Sequence, residues 1–598
     1  MKFVSIPNTG YHIGAKKYKL ELFEGVEAAR LILRKSTQEY WFSPSGSVNG
    51  VKKCDEIASF DKWQKKEEKN SIVFTRVEKS VLWKKKVTTL ICREDSLEFF
   101  VTVEGCSQIE DVRFFRSCVN GVEYGFAGEF DEVINTAPNF HSKIFYHPVD
   151  SFSTSFGEDL TPAVGGQALA SCCSCIGMRD RTERKYLVAG AAAVPGEYTW
   201  DSFRWNPMPL MPATGYIGDQ MKGGGFALEY AGKKSVDGTW ESPRLILSFC
   251  DTYDDILPSY LKECYSRNYL PKPHRRRIQN WWHSPIYCTW HDQTGAAMMD
   301  KSNYIGYHGP HARDFCTEEL VEEWLGELIA HDCKPGILIL DDKWQLNLND
   351  ADPDPEKFAD MRGWIERCHQ RGIKVFLWTA AWNNDNVPED EAITRDGKVV
   401  CGDITNPKYE SRFREMVRRY FSDAEGCLNA DGVKMDGLLA LPMGAGLKNY
   451  ENLWGLELQK RYLDILYEEA HKAKKDVCVS TFVANPYLAD TSDMVRLADM
   501  YHSRLSTRRA MQQRYEVYSC TMPHTLIDTD GQFQFSVIDQ PSSLLSDQMK
   551  WGIPTVYNGK LLRQHRFFMP VHYGELTEED YGIISRAFKI QRKKYGLK

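Results

Sequence analysis

The sequence predicts a multidomain chain of class β plus α/β, an N-terminal β-sandwich followed by a (β/α)8 TIM barrel. Three observations predict it. Up to about residue 250, β-branched and aromatic runs succeed one another at short spacing. The stretch Pro271-Lys272-Pro273-His274-Arg275-Arg276-Arg277 then breaks the pattern with two prolines and a charge run, the composition of a linker. Beyond it, short apolar runs alternate with amphipathic helical stretches, the texture of a parallel βα succession. The expected division is 1–270 for the sandwich and 271–598 for the barrel. At 598 residues, the chain is long enough for both.

In the first part, Ser71 to Val77, Val87 to Cys92 and Leu97 to Val103 read as successive strands. Aromatics crowd the stretch Tyr198-Thr199-Trp200-Asp201-Ser202-Phe203-Arg204-Trp205, which suits a sandwich core, an interdomain contact or a sugar-stacking surface. A helix is expected around Tyr253 to Tyr265, just ahead of the linker.

Eight barrel strands are expected at Ile286 to Trp290, Ile337 to Asp341, Val375 to Trp378, Val433 to Asp436, Val477 to Ser480, Met494 to Asp499, Thr525 to Asp528 and Pro554 to Tyr557. Helices at Glu318 to His331, Lys357 to Arg371, Ser411 to Phe421, Trp454 to Lys475 and Arg504 to Tyr518 alternate with them. A last helix, near Glu578 to Tyr595, closes the chain.

Three of these strands carry the candidate acids. Asp341 and Asp342, then Lys434 and Asp436, then Arg496 and Asp499 fall at or near carboxyl ends, where a barrel assembles its active site from distant parts of the chain. A lone acid there could equally cap a helix or pair with arginine. Together they are the equipment for glycoside cleavage, and Trp290, Trp344 and Trp378 at strand ends supply candidate aromatic walls.

Composition excludes several classes. A net charge of -7 and a pI near 6.2 lack the positive footprint of a nucleic-acid protein, so Lys84-Lys85-Lys86 and the linker arginines read as solvated charge. The N-terminus, interrupted early by Pro7 and Gly10, does not read as a signal peptide, and no run reaches membrane-spanning length. Seventeen scattered cysteines fit a reducing compartment, so a cytoplasmic location is expected. Cys172-Cys173-Ser174-Cys175 lacks the spacing of a zinc knuckle, and neither His291 nor His524 belongs to a ligand-spaced pair, so no metal is expected.

The succession Asp-Asp-x-Trp (Asp341 to Trp344), Lys-Val-Phe-Leu-Trp (Lys374 to Trp378), Asp-Ile-Thr-Asn-Pro (Asp403 to Pro407) and Lys-Met-Asp (Lys434 to Asp436) resembles the α-galactosidases of glycoside hydrolase family 36, in clan D. A β-sandwich (supersandwich) ahead of the barrel is also that family's arrangement. The resemblance implies that Asp436 is the nucleophile, that Lys434 contacts substrate, and that Asp341 and Asp342 hold the 4- and 6-hydroxyls of the sugar. It implies that Trp378 lines the pocket and that Asp499, in Arg496-Leu497-Ala498-Asp499, is the acid/base. Asp493 and Asp490 are rivals for that last role. The chain departs from the family at Met435 (tryptophan in the motif), at Lys343 (glycine) and over Ser480 to Pro486, where the family has a cysteine- and glycine-rich segment beside the 2-hydroxyl.

The implied activity is that of a retaining α-glycosidase working by double displacement without cofactor, an α-galactosidase first, on oligosaccharide substrates. Retention requires the two carboxyls to stand about 5 to 5.5 Å apart. Alternatives are an α-N-acetylgalactosaminidase, an α-glucosidase or a transglycosylase of the same fold and, in another class, a catalytically inert sugar-binding barrel. Aglycone preference and homo-oligomer formation stay open.

Overall fold

In a computed structural model the described residues are 2–6, 9–37, 39–128, 130–135, 145–146, 175–180, 183–207, 223–273, 275, 277–299, 312–482, 484–497, 507–530, 541–564 and 572–597. Two architectures follow one another along the chain. Strands from Lys2–Ile6 to Arg244–Cys250 form an almost wholly antiparallel β-sandwich. Its spine is a pair of 19-residue strands, Ser96–Phe114 and Gly223–Glu241, which pair from Thr102↔Glu241 to Phe114↔Phe226 with a bulge between Ile109 and Asp111. The helix Ile256–Ser266 packs on this sandwich through Ile256, Leu257, Tyr260, Leu261 and Cys264.

The barrel strands are β1 (Ile286–Cys288), β2 (Ile337–Leu340), β3 (Lys374–Ala380), β4 (Gly432–Asp436), β5 (Cys478–Thr481), β6 (Met494–Arg496), β7 (Leu526–Asp528) and β8 (Thr555–Val556). All neighbours are parallel, in the order β7-β6-β5-β4-β3-β2-β1-β8. The ring closes where Ile553 N donates to Ile527 O at 2.8 Å and Thr529 N to Ile553 O at 3.2 Å. The helices are α1 (Trp290–Met299), α2 (Glu318–Ala330), α3 (Met361–Gln370), α4 (Pro407–Phe421), α5 (Gly455–Ala473), α6 (Thr507–Thr521), α7 (Pro541–Trp551) and α8 (Glu578–Tyr595). After β8 a hairpin, Leu561–Gln564 with His572–Glu575, precedes α8.

Side-chain alternation explains why these runs form a barrel. Ile286, Cys288, Ile337, Ile339, Phe376, Cys478, Met494, Ile553 and Tyr557 form one buried cluster, the barrel interior. Their sequence neighbours Leu338, Leu340, Val375, Leu377, Val433, Met435, Val477 and Val479 belong to the larger core that includes the helices. A strand buried on both faces needs apolar residues at every position, which is why these segments read as continuous apolar runs.

Two differences from the sequence expectations concern strand ends. The first strand stops at Cys288 because Trp290 already begins α1, and the sixth stops at Arg496. Asp499 therefore follows β6 and lies outside the described residues. Cys175 is buried at the start of the strand Cys175–Asp180, whereas Cys172 and Cys173 lie outside the described residues; every cysteine among the described residues is a free thiol. No helix is long and apolar enough to cross a membrane.

The sandwich grips the barrel beside β4. Asp201 Oδ2 accepts from Gly444 N at 2.8 Å, and its Oδ1 pairs with Lys233, whose ammonium lies 4.9 Å above the Trp454 ring. Glu457 Oε1 on α5 accepts from Gly196 N at 2.8 Å, Tyr198 N at 3.0 Å and the Tyr487 hydroxyl at 2.9 Å. Tyr198 stacks on Tyr487 with centroids 4.5 Å apart. Gly455 has φ of +61°, and a Cβ there would sit 2.5 Å from Trp200 O, so this approach requires glycine. The aromatic stretch is thus an interdomain contact at Tyr198 and Trp200, both buried.

Candidate active site

Parity along β4 decides which residues reach the barrel mouth. Gly432, Lys434 and Asp436 share the inward face, while Val433 and Met435 pack outward against the helices. Met435 therefore occupies a wall position, and its departure from the family motif falls away from the pocket. Register aligns Trp378 with Lys434 and Ala380 with Asp436 on β3, and Lys434 with Ser480 on β5.

Asp436 ends β4 with its side chain about 35% exposed. Three donors hold its carboxylate: Arg496 Nη2 to Oδ1 at 3.1 Å, Gly437 N to Oδ1 at 2.9 Å and Trp378 Nε1 to Oδ2 at 3.1 Å. Burial raises its pKa, but Arg496, Lys434 and these hydrogen bonds outweigh that and hold it below the ordinary carboxylate range. The result is an ionised, oriented and reachable carboxylate. Gly437 achieves its donation through φ of +68°, and a Cβ there would meet Ala381 O at 2.8 Å.

Lys434 is buried beside it and serves a different acid. Its Nζ lies 2.6 Å from Asp341 Oδ2, 3.4 Å from the Tyr557 hydroxyl and 3.6 Å from Cys288 Sγ. Burial opposes its charge, yet Asp341 more than compensates and its pKa stands above that of an ordinary lysine. Asp341 also accepts from Cys288 Sγ at 3.0 Å and, through Oδ1, from Asp342 N at 2.9 Å. Asp342 is buried, with Oδ2 at 2.7 Å from Arg313 Nε and with Oδ1 accepting no hydrogen bond among the described residues. Burial, countered by Arg313 and reinforced by Asp341, lifts its pKa to about 6.

On the far side of the mouth Arg496 lies over the Phe482 ring at 4.8 Å and donates through Nη1 to Asp530 Oδ2 at 2.9 Å. Tyr557, at the end of β8, donates its hydroxyl to Asp530 Oδ1, and His291 packs on its ring at 4.8 Å. Asp528 is also buried, and burial followed by Asp530 raises its pKa to about 6.

The structure thus brings together Asp341, Asp342, Trp378, Lys434, Asp436 and Arg496. Trp290 is half-buried against the interior cluster at the mouth. Trp344 corrects an expectation: it is fully buried, edge-on to Tyr420, with Nε1 donating to Trp378 O at 2.9 Å. It supports the backbone of β3 and offers no face to a sugar, because four residues beyond β2 the chain has already turned into the barrel wall.

Of the rival acids, Asp493 precedes β6 and so sits at the barrel's opposite end, bonded to Tyr467 at 2.9 Å, His471 at 2.9 Å and Val479 N at 3.0 Å. Asp490 lies in the turn Pro486–Thr491, which also approaches β6 from its amino end. Asp431 mirrors Asp493 below β4, with His369 at 2.6 Å, Lys374 at 2.9 Å and Lys474 at 3.0 Å. Asp499 and its separation from Asp436 lie outside the described residues.

Asp530, Tyr557, Cys288 and Arg313 were not singled out from sequence. The Asp528-Thr529-Asp530 run and Tyr557 end strands in the same manner as Lys434 to Asp436, so the strand-end rule applied to all eight strands would have found them. Arg313 carries no such signal. Among the described residues, no group of three or more His, Cys, Asp or Glu side chains is arranged to hold a metal ion.

No family model matches the chain, and no curated protein matches it. Solved structures match over nearly its full length. The α-N-acetylgalactosaminidase NagBb from Bifidobacterium bifidum, in its GalNAc complex, aligns with a TM-score of 0.61 at 11% identity, covering 97% of this chain and 93% of that one. Its complex with Gal-NHAc-DNJ gives 0.62 at the same identity and coverage. A GH31 family sulfoquinovosidase from E. rectale, in complex with an aza-sugar inhibitor, gives 0.52 at 10% identity, covering 99% of this chain and 83% of that one. At such identities the likeness is one of fold.

Proposed function

We propose that this protein is a retaining α-glycosidase that removes a terminal sugar of galacto configuration, an α-galactoside in the first instance. One observation carries the reading: Asp436 presents an accessible carboxylate at the carboxyl end of β4, kept ionised by Arg496 and oriented by Trp378 and Gly437. That end of a barrel is where catalytic groups collect. A nucleophilic carboxylate needs both charge and fixed direction.

In the proposed reaction an Asp436 oxygen attacks the anomeric carbon as the bond to the leaving oxygen breaks and Asp499 gives that oxygen its proton. Asp499 then takes a proton from water, whose oxygen attacks the same carbon and expels Asp436, leaving the α configuration retained. Asp341 and Asp342 accept hydrogen bonds from sugar hydroxyls and Lys434 donates one. The reaction as written balances without metal or cofactor. Arg496 stabilises the carboxylate that departs in the second step.

A second reading, an α-N-acetylgalactosaminide as substrate, is favoured by the fold likeness to NagBb over 97% of the chain. Hydrolysis of 4-nitrophenyl α-galactoside, α-N-acetylgalactosaminide and α-glucoside, with and without an acceptor sugar, separates these substrates and separates hydrolysis from transfer. Proton NMR of the product early in turnover is expected to give the α anomer. A β anomer would remove the double displacement, and tight sugar binding without turnover of any glycoside would leave an inert binding barrel.

A further inference from the structure

Asp530, two residues past β7, is fully buried and its two oxygens serve two different strands. Oδ2 accepts from Arg496 of β6 at 2.9 Å, and Oδ1 accepts from the hydroxyl of Tyr557 at the end of β8. Each partner reaches onward. Arg496 holds Asp436 at 3.1 Å, while the Tyr557 hydroxyl lies 3.4 Å from Lys434, which holds Asp341 at 2.6 Å. One carboxylate, enclosed beyond reach of a sugar, therefore joins the half of the site containing Asp436 to the half containing Lys434. Its own backbone is fixed at φ of +48°, with Asp530 N donating to Asp528 Oδ1 at 2.8 Å.

Arg496 stands between two acids, and in the proposed reaction one of them loses its charge. When Asp436 becomes an ester, the buried guanidinium loses one of its counter-charges, which disfavours it where it stands. The Asp530 carboxyl stays opposite it, at 2.9 Å.

We infer that Asp530 is a positioning residue: it keeps Arg496 charge-matched and in place while Asp436 passes from carboxylate to glycosyl ester and back, and it holds Tyr557 against Lys434. The kinetic part of this rests on the glycosidase reading, whereas the coupling between Asp530 and Asp436 does not.

Among the described residues, the charged groups facing this pair are Arg496 from β6, Lys434 from β4, Asp341 beyond it just after β2 and Asp528 from β7. Tyr557 of β8 completes the ring, backed by His291 of α1 and neighboured by Cys288 of β1. Removing the negative charge of Asp530 leaves the two cations to act more fully on Asp436, so protonation of Asp436 must move to lower pH.

The test uses the full chain carrying Asp530→Asn and, separately, Tyr557→Phe. The indole N–H of Trp378 donates to Asp436, so its 15N–1H resonance reports Asp436 protonation without any turnover. In Asp530→Asn the midpoint of that titration is expected to fall by about half a pH unit or more, and kcat/KM by on the order of tenfold, through kcat. In Tyr557→Phe, where Asp530 keeps its charge but loses a donor, the midpoint is expected to move upward. Unchanged midpoints in both variants overturn the inference, as does a shifted midpoint with kcat/KM within about twofold of the original. If Asp530→Asn fails to fold, Tyr557→Phe decides alone. Should the unmodified protein turn over no glycoside while the midpoints move, the glycosidase reading fails and the coupling stands.

Discussion

Lys434 and Asp436 lie two positions apart on one strand and face the same way, yet each is neutralised by a different partner. Asp341 pairs with the lysine at 2.6 Å and Arg496 with the aspartate at 3.1 Å. Were Lys434 and Asp436 paired with each other, the carboxylate would be tied down at its reactive oxygen. The division leaves Asp436 charged and partly open, and four expected outcomes follow from this arrangement and its supports.

Asp436→Ala is expected to lower kcat by on the order of ten-thousandfold or more, because a covalent nucleophile has no substitute in the pocket. Folding should be intact by circular dichroism. Added azide is expected to restore turnover with a β-configured product, since a small anion fits the vacated space. Activity near that of the unmodified protein would remove Asp436 from the mechanism.

Gly437→Ala tests the turn that aims this carboxylate. The added Cβ would meet the rigid Ala381 carbonyl at 2.8 Å, in a backbone conformation of φ +68° that alanine rarely adopts. A loss of about 1–3 kcal/mol in stability by chemical denaturation is expected, together with a kcat depressed more than KM is raised. Unaltered kcat would mean that the Gly437 hydrogen bond does not orient Asp436.

On the proposed reading, Asp342 sets the acid limb of binding. With its pKa lifted to about 6, it is neutral below that pH and cannot accept fully from two sugar hydroxyls, so KM is expected to rise as pH falls through about 6. Arg313 opposes the shift from a half-exposed position. Arg313→Ala should therefore move the rise in KM upward by about half a pH unit, a modest step because solvent screens that cation. A KM profile identical in both proteins would separate Asp342 from substrate.

Asp431, at the closed end of the barrel, tests stability apart from catalysis. Burial alone would raise its pKa, but the His369 hydrogen bond and the Lys474 and Lys374 ammoniums prevail and depress it well below the carboxylate range. A carboxyl depressed on folding contributes stability above its unfolded value, near 4, and loses it as pH falls through the folded one. Asp431→Asn should thus cost about 2–3 kcal/mol at pH 7 in urea denaturation, the difference narrowing below about pH 4. An equal difference at all pH values would mean that packing, not charge, is what Asp431 supplies.

All eight barrel strands were legible because a strand buried on both faces writes itself as an unbroken apolar run, and Asp341, Lys434, Asp436 and Arg496 stand at the ends of such runs. Local periodicity stops where the strand stops. At Trp344 the chain has left β2, and sequence alone carries no sign that this indole turns into the wall toward Tyr420. The sixth run looked continuous to Asp499 although the ladder ends at Arg496. The strand-end rule reaches Asp530 as a candidate but not its partners on β6 and beyond β8, which are set by closure of the ring. Closure brings together residues 34 and 27 positions away, at distances no local pattern encodes.

The contacts of Asp201 with Gly444, and of Glu457 with Gly196 and Tyr198, bear on how this protein could be cut, fused or transplanted. The loop leaving Asp436 is shaped on one side by residues that precede it by more than two hundred positions. A barrel expressed from residue 271 onward would carry every proposed catalytic side chain, yet Trp454 and Tyr487 would face water and Gly444 would lose its anchor. The sandwich residues Gly196, Tyr198, Asp201 and Lys233 are therefore part of the mould in which the loop after Asp436 sets, and a transplanted barrel would have to bring them along.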